Sequence, residues 1–406
     1  MFIKHIKLEN LLSFGPDTES LELRPLNVLI GPNGSGKSNL IEAIGLLKAT
    51  PKDLTIPIRE GGGIRDWLWR GDPRASSAHI EVLLDNPKGS SALRYRLGFT
   101  ERGQQFELTE ERIENKERDL FHPMPYYELQ YGRATLSYRG EKQRYKLKIP
   151  GVDDEQNDGG EKQHQLRLEE IDPQQSILAQ RKDPDQYPEL TWLGETFDRM
   201  RLYRESSFGR RTPPRQPQPA DLPNDFLLED GRNLGLVLNR LKREPKVKVQ
   251  ILETMRQLYE GVIDLDVSIE GGTVQVFAQE GSIMVPATRL SDGTLRFLCL
   301  LAILCHPNPP PLVCIEEPEL GLHPDILPVL SDLLREASQR CQLIVTTHSD
   351  MLVDTLTDTP ESVVVCEKHD GKTEMHRLDK ADLAEWLKRY SLGDLWTRGD
   401  LGGNRW

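Results

Sequence analysis

The chain has 406 residues, a formal net charge of −12 and a charged fraction of 29%. This length allows a large core divided between lobes, and the acidic balance argues against binding nucleic acid through overall charge. No apolar stretch approaches the roughly 20 residues that span a bilayer. The five cysteines lack zinc-ligand spacing, so we expect buried free thiols in a reducing compartment. Together these features predict a cytoplasmic protein without a membrane partner.

The N-terminal region predicts a phosphate-binding loop between a strand and a helix. Leu26–Ile30 is an apolar run typical of a buried strand, and apolar residues at helical spacing follow Ser38. The intervening segment has the pattern G-x-x-x-x-G-K-S; with the next residue, its candidate nucleotide-binding residues are Gly31, Pro32, Asn33, Gly34, Ser35, Gly36, Lys37, Ser38 and Asn39. Backbone N–H groups of such a loop, with the helix N-terminus, converge on an anion. We expect Lys37 to contact the β- and γ-phosphates and Ser38 to bind Mg²⁺; the alternative is a glycine-rich turn that binds nothing.

The middle of the chain changes to alternating apolar and polar residues. Residues 78–149 predict antiparallel strands, the last at Arg144–Ile149, and the acidic residues 150–165 predict a loop or a disordered segment. A helix is predicted over 189–204, before a proline-rich basic segment at 209–219. Further predicted elements are helices over 232–243 and 246–260 and strands near 264–270 and 273–278.

The C-terminal third alternates helices with short apolar strands, which favours a mostly parallel sheet with helices on its faces. The predicted elements are helix 293–305, strand 312–315, helix 324–339, strand 342–347, helix 350–356 and strand 362–366. The tail from Leu392 to Trp406 is rich in glycine and aromatic residues. It suits docking either onto its own head or onto a partner, and we favour the first.

Two carboxylates directly follow the predicted strand 312–315, where ligands bind open α/β sheets. We expect Glu316 to hold Mg²⁺ and Glu317 to orient and deprotonate the attacking water; the alternative is an acidic surface turn. His348 follows the next strand and could donate a hydrogen bond to the γ-phosphate. A structural histidine at a strand end is the alternative.

Leu290–Arg296 precedes a helix, with Ser291 or Asp292 available as its cap. By itself this segment is an ordinary helix start. Beside the other motifs it is a second anion-binding helix N-terminus, and within one chain it cannot easily serve the nucleotide that Lys37 binds.

Taken in chain order, Gly31–Ser38, Leu290–Arg296, Glu316–Glu317 and His348 resemble the Walker A, signature, Walker B and switch-histidine elements of ABC-type ATPase heads. The start of the chain resembles SMC-like, RecF-like and overcoming-lysogeny-defect-type heads. The segment Glu317–Pro324 and the signature look most like the prokaryotic AAA_21 ATPases. Asp292 replaces the usual glycine of transporter signatures, and Glu316 replaces the commoner aspartate, as the AAA_21 branch leads one to expect.

The resemblance implies an α/β fold: a P-loop NTPase head of the ABC type with a mostly parallel core sheet, an antiparallel β-rich lobe and a helical signature lobe. It implies a division into 1–175, 176–300 and 301–406. It also implies a homodimer enclosing two ATP molecules, with Lys37 and Glu317 of one subunit facing Ser291 and Gly293 of the other. Asp292 is a further candidate nucleotide-binding residue of the signature. Gln180 is the candidate for the Q-loop metal ligand.

By the same resemblance we expect an ATPase that regulates a separate effector, such as a nuclease, or acts on DNA, in phage defence or genome maintenance. A local basic segment could contact DNA: Arg199, Arg201, Arg204, Arg210, Arg211 and Arg215. Its alternative is a solvated helix face before a loop. The alternative function is a transporter-type ATPase subunit coupled to a membrane partner.

Overall fold

A computed structural model describes residues 2–71, 77–86, 91–117, 125–139, 161–167, 170–204 and 209–403. The predicted strand Arg144–Ile149 lies outside these residues. The chain forms two compact units: one combines Leu23–Ile41 with the chain from Met200 onward, and the other combines Ile3–Glu22 with Glu42–Arg199. The division predicted at residues 175 and 300 stays a prediction. No helix in the described ranges is long and apolar enough to cross a membrane.

The unit that contains Glu42–Arg199 is built on an antiparallel sheet of eight strands. Their order is β2-β1-β4-β5-β6-β7-β8-β9, and their bounds are β1 Ile3–Glu9, β2 Leu21–Glu22, β4 Ser77–Leu84, β5 Leu93–Arg102, β6 Gln105–Asn115, β7 Tyr127–Gln130, β8 Arg133–Arg139 and β9 Glu161–Leu166. Burial alternates along β4, which confirms the alternating pattern predicted for this region. The helices are α2 Thr55–Glu60, α3 Ile64–Trp67, α4 Ile177–Gln180 and α5 Pro188–Asp198.

The loop predicted over 150–165 is wrong at its C-terminal end, because β9 pairs with β8 there. β9 is an edge strand of polar sequence. Backbone pairing alone can hold an edge strand, so it needs no alternating apolar residues that a sequence pattern would reveal.

The other unit contains a six-stranded sheet in the order β10-β15-β16-β3-β17-β18. The strands are β3 Leu26–Ile30, β10 Arg201–Tyr203, β15 Leu312–Glu316, β16 Gln342–Thr346, β17 Val363–His369 and β18 Lys372–Arg377. All neighbours are parallel except β17 and β18. This confirms the mostly parallel core sheet.

Strand β10 corrects the helix predicted over 189–204, which ends at Asp198. Leu202 and Tyr203 are buried, and β10 lies parallel to β15. The Leu202 N–H donates to Glu229 Oε1 over 2.6 Å. A strand of three residues has no periodicity to detect, so its pairing with a distant strand decides its conformation.

Helices and a small antiparallel sheet complete this unit. The sheet contains β11 Gln218–Pro219, β12 Val262–Glu270, β13 Thr273–Glu280 and β14 Ile283–Pro286. The helices are α1 Lys37–Ala49, which runs on into the other unit's part of the chain, α6 Leu234–Leu241, α7 Pro245–Leu258, α8 Asp292–Leu304, α9 Leu327–Ser338, α10 Asp350–Asp354, α11 Lys380–Leu383 and α12 Leu392–Thr397. One apolar core joins α6–α9 to the parallel sheet, and all five cysteines are buried and outside any disulfide bond, as expected.

Candidate nucleotide-binding site

The candidate residues meet where three neighbouring parallel strands end. β15 pairs with β16, and β16 pairs with β3. The phosphate loop follows β3, Glu316 ends β15, and His348 lies two residues after β16. Lys37 is close enough to interact electrostatically with Glu316, Glu317 and His348. The structure therefore brings these four sequence-predicted side chains together at one edge of the sheet.

The phosphate loop has a backbone shape that only glycine adopts easily. Gly31, Gly34 and Gly36 have φ angles of 143°, 81° and 101°. A Cβ atom on Gly31 would lie 2.2 Å from the Cys366 carbonyl oxygen. Ser35 is buried, and its Oγ has no hydrogen-bond partner among the described residues. A buried hydroxyl without a partner is costly, and an anion oxygen in this loop would satisfy it.

Lys37 is folded onto its own loop. Its Nζ donates to the carbonyl oxygens of Gly31 and Pro32, at 2.6 and 3.1 Å. The side chain is buried, and burial lowers the Lys37 pKa, while the neighbouring carboxylates oppose that shift. The loop carbonyls thus solvate the ammonium group, and phosphate oxygens could replace them. Ser38 is exposed in the first turn of α1.

Glu317 is held in a strained backbone conformation at the end of β15. Its φ angle is +46°, unusual for a residue with a side chain. Its N–H donates to the Thr346 carbonyl oxygen over 3.0 Å, and the Arg296 guanidinium donates to its carbonyl oxygen. These two hydrogen bonds fix the peptide groups before and after Glu317. The backbone therefore limits the positions that the Glu317 carboxylate can reach.

His348 lies beside the predicted base. Its Nε2 is 3.7 Å from Glu317 Oε1. Burial lowers the His348 pKa, and the positive charge of Lys37 lowers it further. A neutral imidazole at physiological pH can donate one hydrogen bond and accept another.

Glu319 was not assigned a role from the sequence, yet it organises the loop after β16. Its Oε1 accepts a 2.6 Å hydrogen bond from Thr347 Oγ1 and a 3.1 Å hydrogen bond from the His348 N–H. The Glu-Pro-Glu sequence was visible, but nothing in it indicates a partner 28 residues away. Arg204 and Arg296 were missed as site residues for the same reason.

The signature segment forms the predicted helix start. Ser291 is the N-cap of α8, and its Oγ accepts from the Thr294 N–H over 3.0 Å. Asp292 is ion-paired with Arg215. A Cβ atom on Gly293 would lie 2.6 Å from the Gly321 carbonyl oxygen, so close packing requires glycine there. The binding of a nucleotide by Ser291, Asp292 and Gly293 stays a prediction.

Gln180 ends α4 in the other compact unit. Its Oε1 accepts from the Asp172 N–H over 2.9 Å, and its Nε2 donates to the Gln175 carbonyl oxygen over 2.8 Å. The amide therefore stabilises a local turn. Its role as a metal ligand stays a prediction.

Comparison with known proteins identifies the family. The AAA_21 family model, described as "AAA domain, putative AbiEii toxin, Type IV TA system", matches residues 26–354. The chain belongs to the AAA_21 family. This confirms the resemblance inferred from the Walker A, signature, Walker B and switch-histidine residues.

Curated relatives of this AAA_21 chain match over a short stretch. The chromosome partition protein Smc of Halothermothrix orenii is 34% identical over 90 residues, which is 21% of this chain and 7% of that protein. The Smc protein of Clostridium kluyveri is 29% identical over 98 residues, 23% of this chain and 8% of that protein. These matches thus span less than a tenth of each relative's length.

Solved SMC heads match over nearly the whole chain. An Smc head bound to the C-winged helix domain of ScpA has a TM-score of 0.59 at 13% identity, covering 94% of this chain and 99% of that one. An Smc head with an extended coiled coil, bound to the C-terminal domain of ScpA and derived from Pyrococcus furiosus, has a TM-score of 0.55 at 14% identity, covering 95% and 98%. The likeness confirms the fold class: a P-loop NTPase head of the SMC type.

The residues of the AAA_21 head fit a magnesium ion. The Ser38 hydroxyl and the Glu316 carboxylate would supply the hard oxygen ligands that Mg²⁺ prefers. The part of the chain that the structure describes holds no group of three His, Cys, Asp or Glu side chains suited to a metal ion. Nucleotide phosphates and water would therefore complete the coordination, as is usual for Mg²⁺ in ATPase sites.

Proposed function

We propose that this AAA_21 chain is a Mg²⁺-dependent ATPase head that dimerises around ATP. The observation that carries the proposal is the convergence of Lys37, Glu316, Glu317 and His348 at the ends of β3, β15 and β16. A merely structural glycine turn would not need a buried lysine, two carboxylates and a histidine at the same edge.

Each side chain has a defined task in the proposed reaction. Lys37 exchanges the carbonyl oxygens of Gly31 and Pro32 for β- and γ-phosphate oxygens. Glu317 orients the attacking water and accepts its proton. Neutral His348 donates a hydrogen bond to the γ-phosphate. Ser38 and Glu316 would hold Mg²⁺, which neutralises the charge that develops on the phosphates.

In the proposed dimer, the signature segment of one subunit completes the nucleotide site of the other subunit. Ser291 and Asp292 are exposed, and the N-terminus of the 13-residue helix α8 begins there. A helix N-terminus and a serine hydroxyl suit the γ-phosphate of a nucleotide that the partner subunit binds. ATP thus joins the two subunits, and its hydrolysis weakens the contact.

Two variants test this proposal. Glu317→Gln is expected to bind ATP, lose turnover and remain an ATP-dependent dimer, because an amide cannot take the proton from water. Ser291→Arg is expected to bind ATP as a monomer and not hydrolyse it. Glu374→Gln, at an exposed residue of β18, is the control. Wild-type turnover in Glu317→Gln, or equal specific activity of the wild type at concentrations where it is monomeric, contradicts the proposal.

The biological output that we propose is the regulation of a separate effector, with antiphage defence or genome maintenance as its setting. The solved Smc head with a similar fold is bound to the C-winged helix domain of ScpA, which supports a protein partner for this chain. A DNA contact has less support, because Arg204 and Arg215 form ion pairs within the head, although Arg210 and Arg211 are exposed.

Affinity capture with ATP-locked Glu317→Gln from the native host tests the effector, with Ser291→Arg as the control. A titration of DNA binding against salt tests the DNA contact, because phosphate contacts make affinity fall steeply with salt. A flat response removes the DNA contact. The transporter-type alternative is not favoured, since the matching curated proteins and solved heads are of the SMC type.

A further inference from the structure

The proline-rich segment contributes one buried charge to the signature. Arg215 ends a short 3₁₀ turn, Pro213–Arg215, and it is only 6% exposed although it is an arginine. The two prolines restrict φ, so the turn holds the arginine with little conformational freedom. Fully buried arginines are rare unless they are paired.

Within the described residues, the Arg215 guanidinium donates to the turn that leads into α8 and to the first residue of that helix. Its Nη1 donates to the carbonyl oxygens of Leu290 at 2.6 Å and of Ala287 and Thr288 at 3.3 Å each. Its Nη2 donates to the Asp292 carboxylate. One guanidinium therefore fixes the residues on both sides of Ser291.

The negative charge of Asp292 disfavours phosphate binding at the signature unless a cation such as Arg215 neutralises it. Its carboxylate lies in the first turn of α8, next to the Ser291 cap. A negative charge there stabilises the helix through its dipole, but it also repels a phosphate approaching the same N-terminus. The Arg215 guanidinium neutralises the carboxylate and holds it through a directional hydrogen bond.

We propose that Arg215 is the positioning residue of the signature, neutralising Asp292 and fixing the Leu290 carbonyl so that the Ser291 hydroxyl and the Gly293 N–H can receive the γ-phosphate of a nucleotide bound by a second copy. This inference rests on the proposed function. It assigns to the proline-rich segment, 75 residues before Leu290, a role in closing the dimer. It also explains how a signature with aspartate in place of glycine can accept an anion.

The test measures dimerisation separately from nucleotide binding. Arg215→Met, Asp292→Asn and the double variant are made in the Glu317→Gln background, so that hydrolysis does not dissolve the dimer. Binding of a fluorescent ATP analogue is measured on dilute monomer, and ATP-dependent dimerisation is measured by analytical ultracentrifugation. Arg243→Met, at an exposed arginine between α6 and α7, is the control.

Arg215→Met is expected to leave the nucleotide Kd within about twofold and to raise the dimer Kd at least tenfold. Asp292→Asn is expected to change the dimer Kd little. The double variant is expected to recover part of the loss, because it removes the unpaired carboxylate along with the arginine but does not restore the hydrogen bond to the Leu290 carbonyl oxygen. A merely structural arginine would give no such recovery.

Two results overturn the inference: a dimer Kd of wild-type size in Arg215→Met, or equal losses in the single and double variants. If Arg215→Met does not fold, Arg215→Lys decides, because lysine keeps the charge but loses the planar fork. A severalfold weaker dimer supports the inference, and an unchanged dimer overturns it. If the Glu317→Gln background forms no dimer with ATP, the proposed function itself fails, which is a distinguishable outcome.

Discussion

Arg204 and Glu316 form an ion pair across two neighbouring parallel strands, with 3.2 Å between Arg204 Nε and Glu316 Oε1. Arg204 directly follows β10, and Glu316 ends β15. The carboxylate that we assign to Mg²⁺ therefore already has a cationic neighbour. A bound metal ion and this arginine would compete for the same carboxylate group.

Arg204→Gln is expected to strengthen metal binding to the nucleotide complex. The arginine side chain is 38% exposed, and pairs of this kind contribute about 0.2–1 kcal/mol, which corresponds to up to about fivefold in Kd. Titration of Mn²⁺ by electron paramagnetic resonance, with a non-hydrolysable ATP analogue, measures the effect. Arg243→Gln is the control. Weaker metal binding in Arg204→Gln would mean that the arginine orients Glu316 instead of competing for it.

Lys37→Ala is expected to weaken ATP binding by about 10–100-fold, because hydrogen bonds to charged groups contribute about 1.5–3 kcal/mol. The loop carbonyls of Gly31 and Pro32 would lose their donor in the free protein as well, so a modest loss of thermal stability is also expected. Equilibrium titration with a fluorescent ATP analogue measures the affinity. Lys368→Ala, at an exposed residue of β17, serves as the control, and equal affinities of the two variants would refute the role of Lys37.

His348→Ala is expected to lower kcat by about 100-fold with a smaller change in KM, because the variant loses one donor to the γ-phosphate. His348→Gln keeps a hydrogen-bond donor, so its kcat is expected to lie between those of the wild type and His348→Ala. Because burial and the positive charge of Lys37 lower the His348 pKa from its ordinary 6.5, the imidazole is predominantly neutral above pH 7. Titration of its ring protons by NMR should give a midpoint below 6.5. A midpoint above 7 would contradict a neutral donor.

The elements that could be predicted from the sequence are those whose signals are local. The strand, glycine loop and helix around Lys37 lie in one continuous segment, and Glu316, Glu317 and His348 each follow an apolar strand. The contacts of Arg204, Arg215 and Arg296 depend instead on residues 21 to 112 positions away. Neither periodicity nor spacing carries that information. The sequence therefore presents the basic segment as a surface feature, although Arg204 contacts Glu316 and Arg215 contacts Asp292 in the structure.

The tail shows the same dependence on distant contacts, although its docking onto its own head was the favoured alternative. Trp396 is buried, and its Nε1 donates to the Gly403 carbonyl oxygen over 3.4 Å. The Gly403 N–H donates to Glu367 Oε1 over 2.8 Å. A Cβ atom on Gly403 would lie 3.4 Å from the Cα of Gly31, so the tail packs against the first glycine of the phosphate loop.

Trp396→Ala is therefore expected to destabilise the head by about 3–5 kcal/mol, the usual loss for a buried tryptophan, and to weaken ATP binding because Gly31 loses its support. Trp386→Ala is the matched control, since Trp386 is 46% exposed. Thermal unfolding and ATP titration measure both effects. A Trp396→Ala protein as stable as the Trp386→Ala protein would show that the tail does not hold the loop.

Glu111 makes stability depend on pH in the unit that contains β6. Its carboxylate is fully buried and accepts hydrogen bonds from Tyr95 Oη and the Ile177 N–H, both at 2.8 Å, and from Ser176 Oγ. Burial raises its pKa from 4.5 to about 7, although these bonds oppose the shift. Between pH 4.5 and 7 the folded protein therefore binds more protons than the unfolded chain, so stability falls as pH rises through this window.

Glu111→Gln is expected to remove this loss, because a glutamine has no proton to release. Its amide oxygen can accept from the Ile177 N–H, and its amino group can donate to Ser176 Oγ. Urea unfolding at pH 5, 6, 7 and 8 should show that the free energy of unfolding of Glu111→Gln varies less with pH than that of the wild type. By pH 8 the two variations should differ by on the order of 3 kcal/mol. Glu107→Gln, on the same strand but partly exposed, should keep the wild-type slope. Parallel profiles for Glu111→Gln and the wild type would show that Glu111 does not titrate near neutrality.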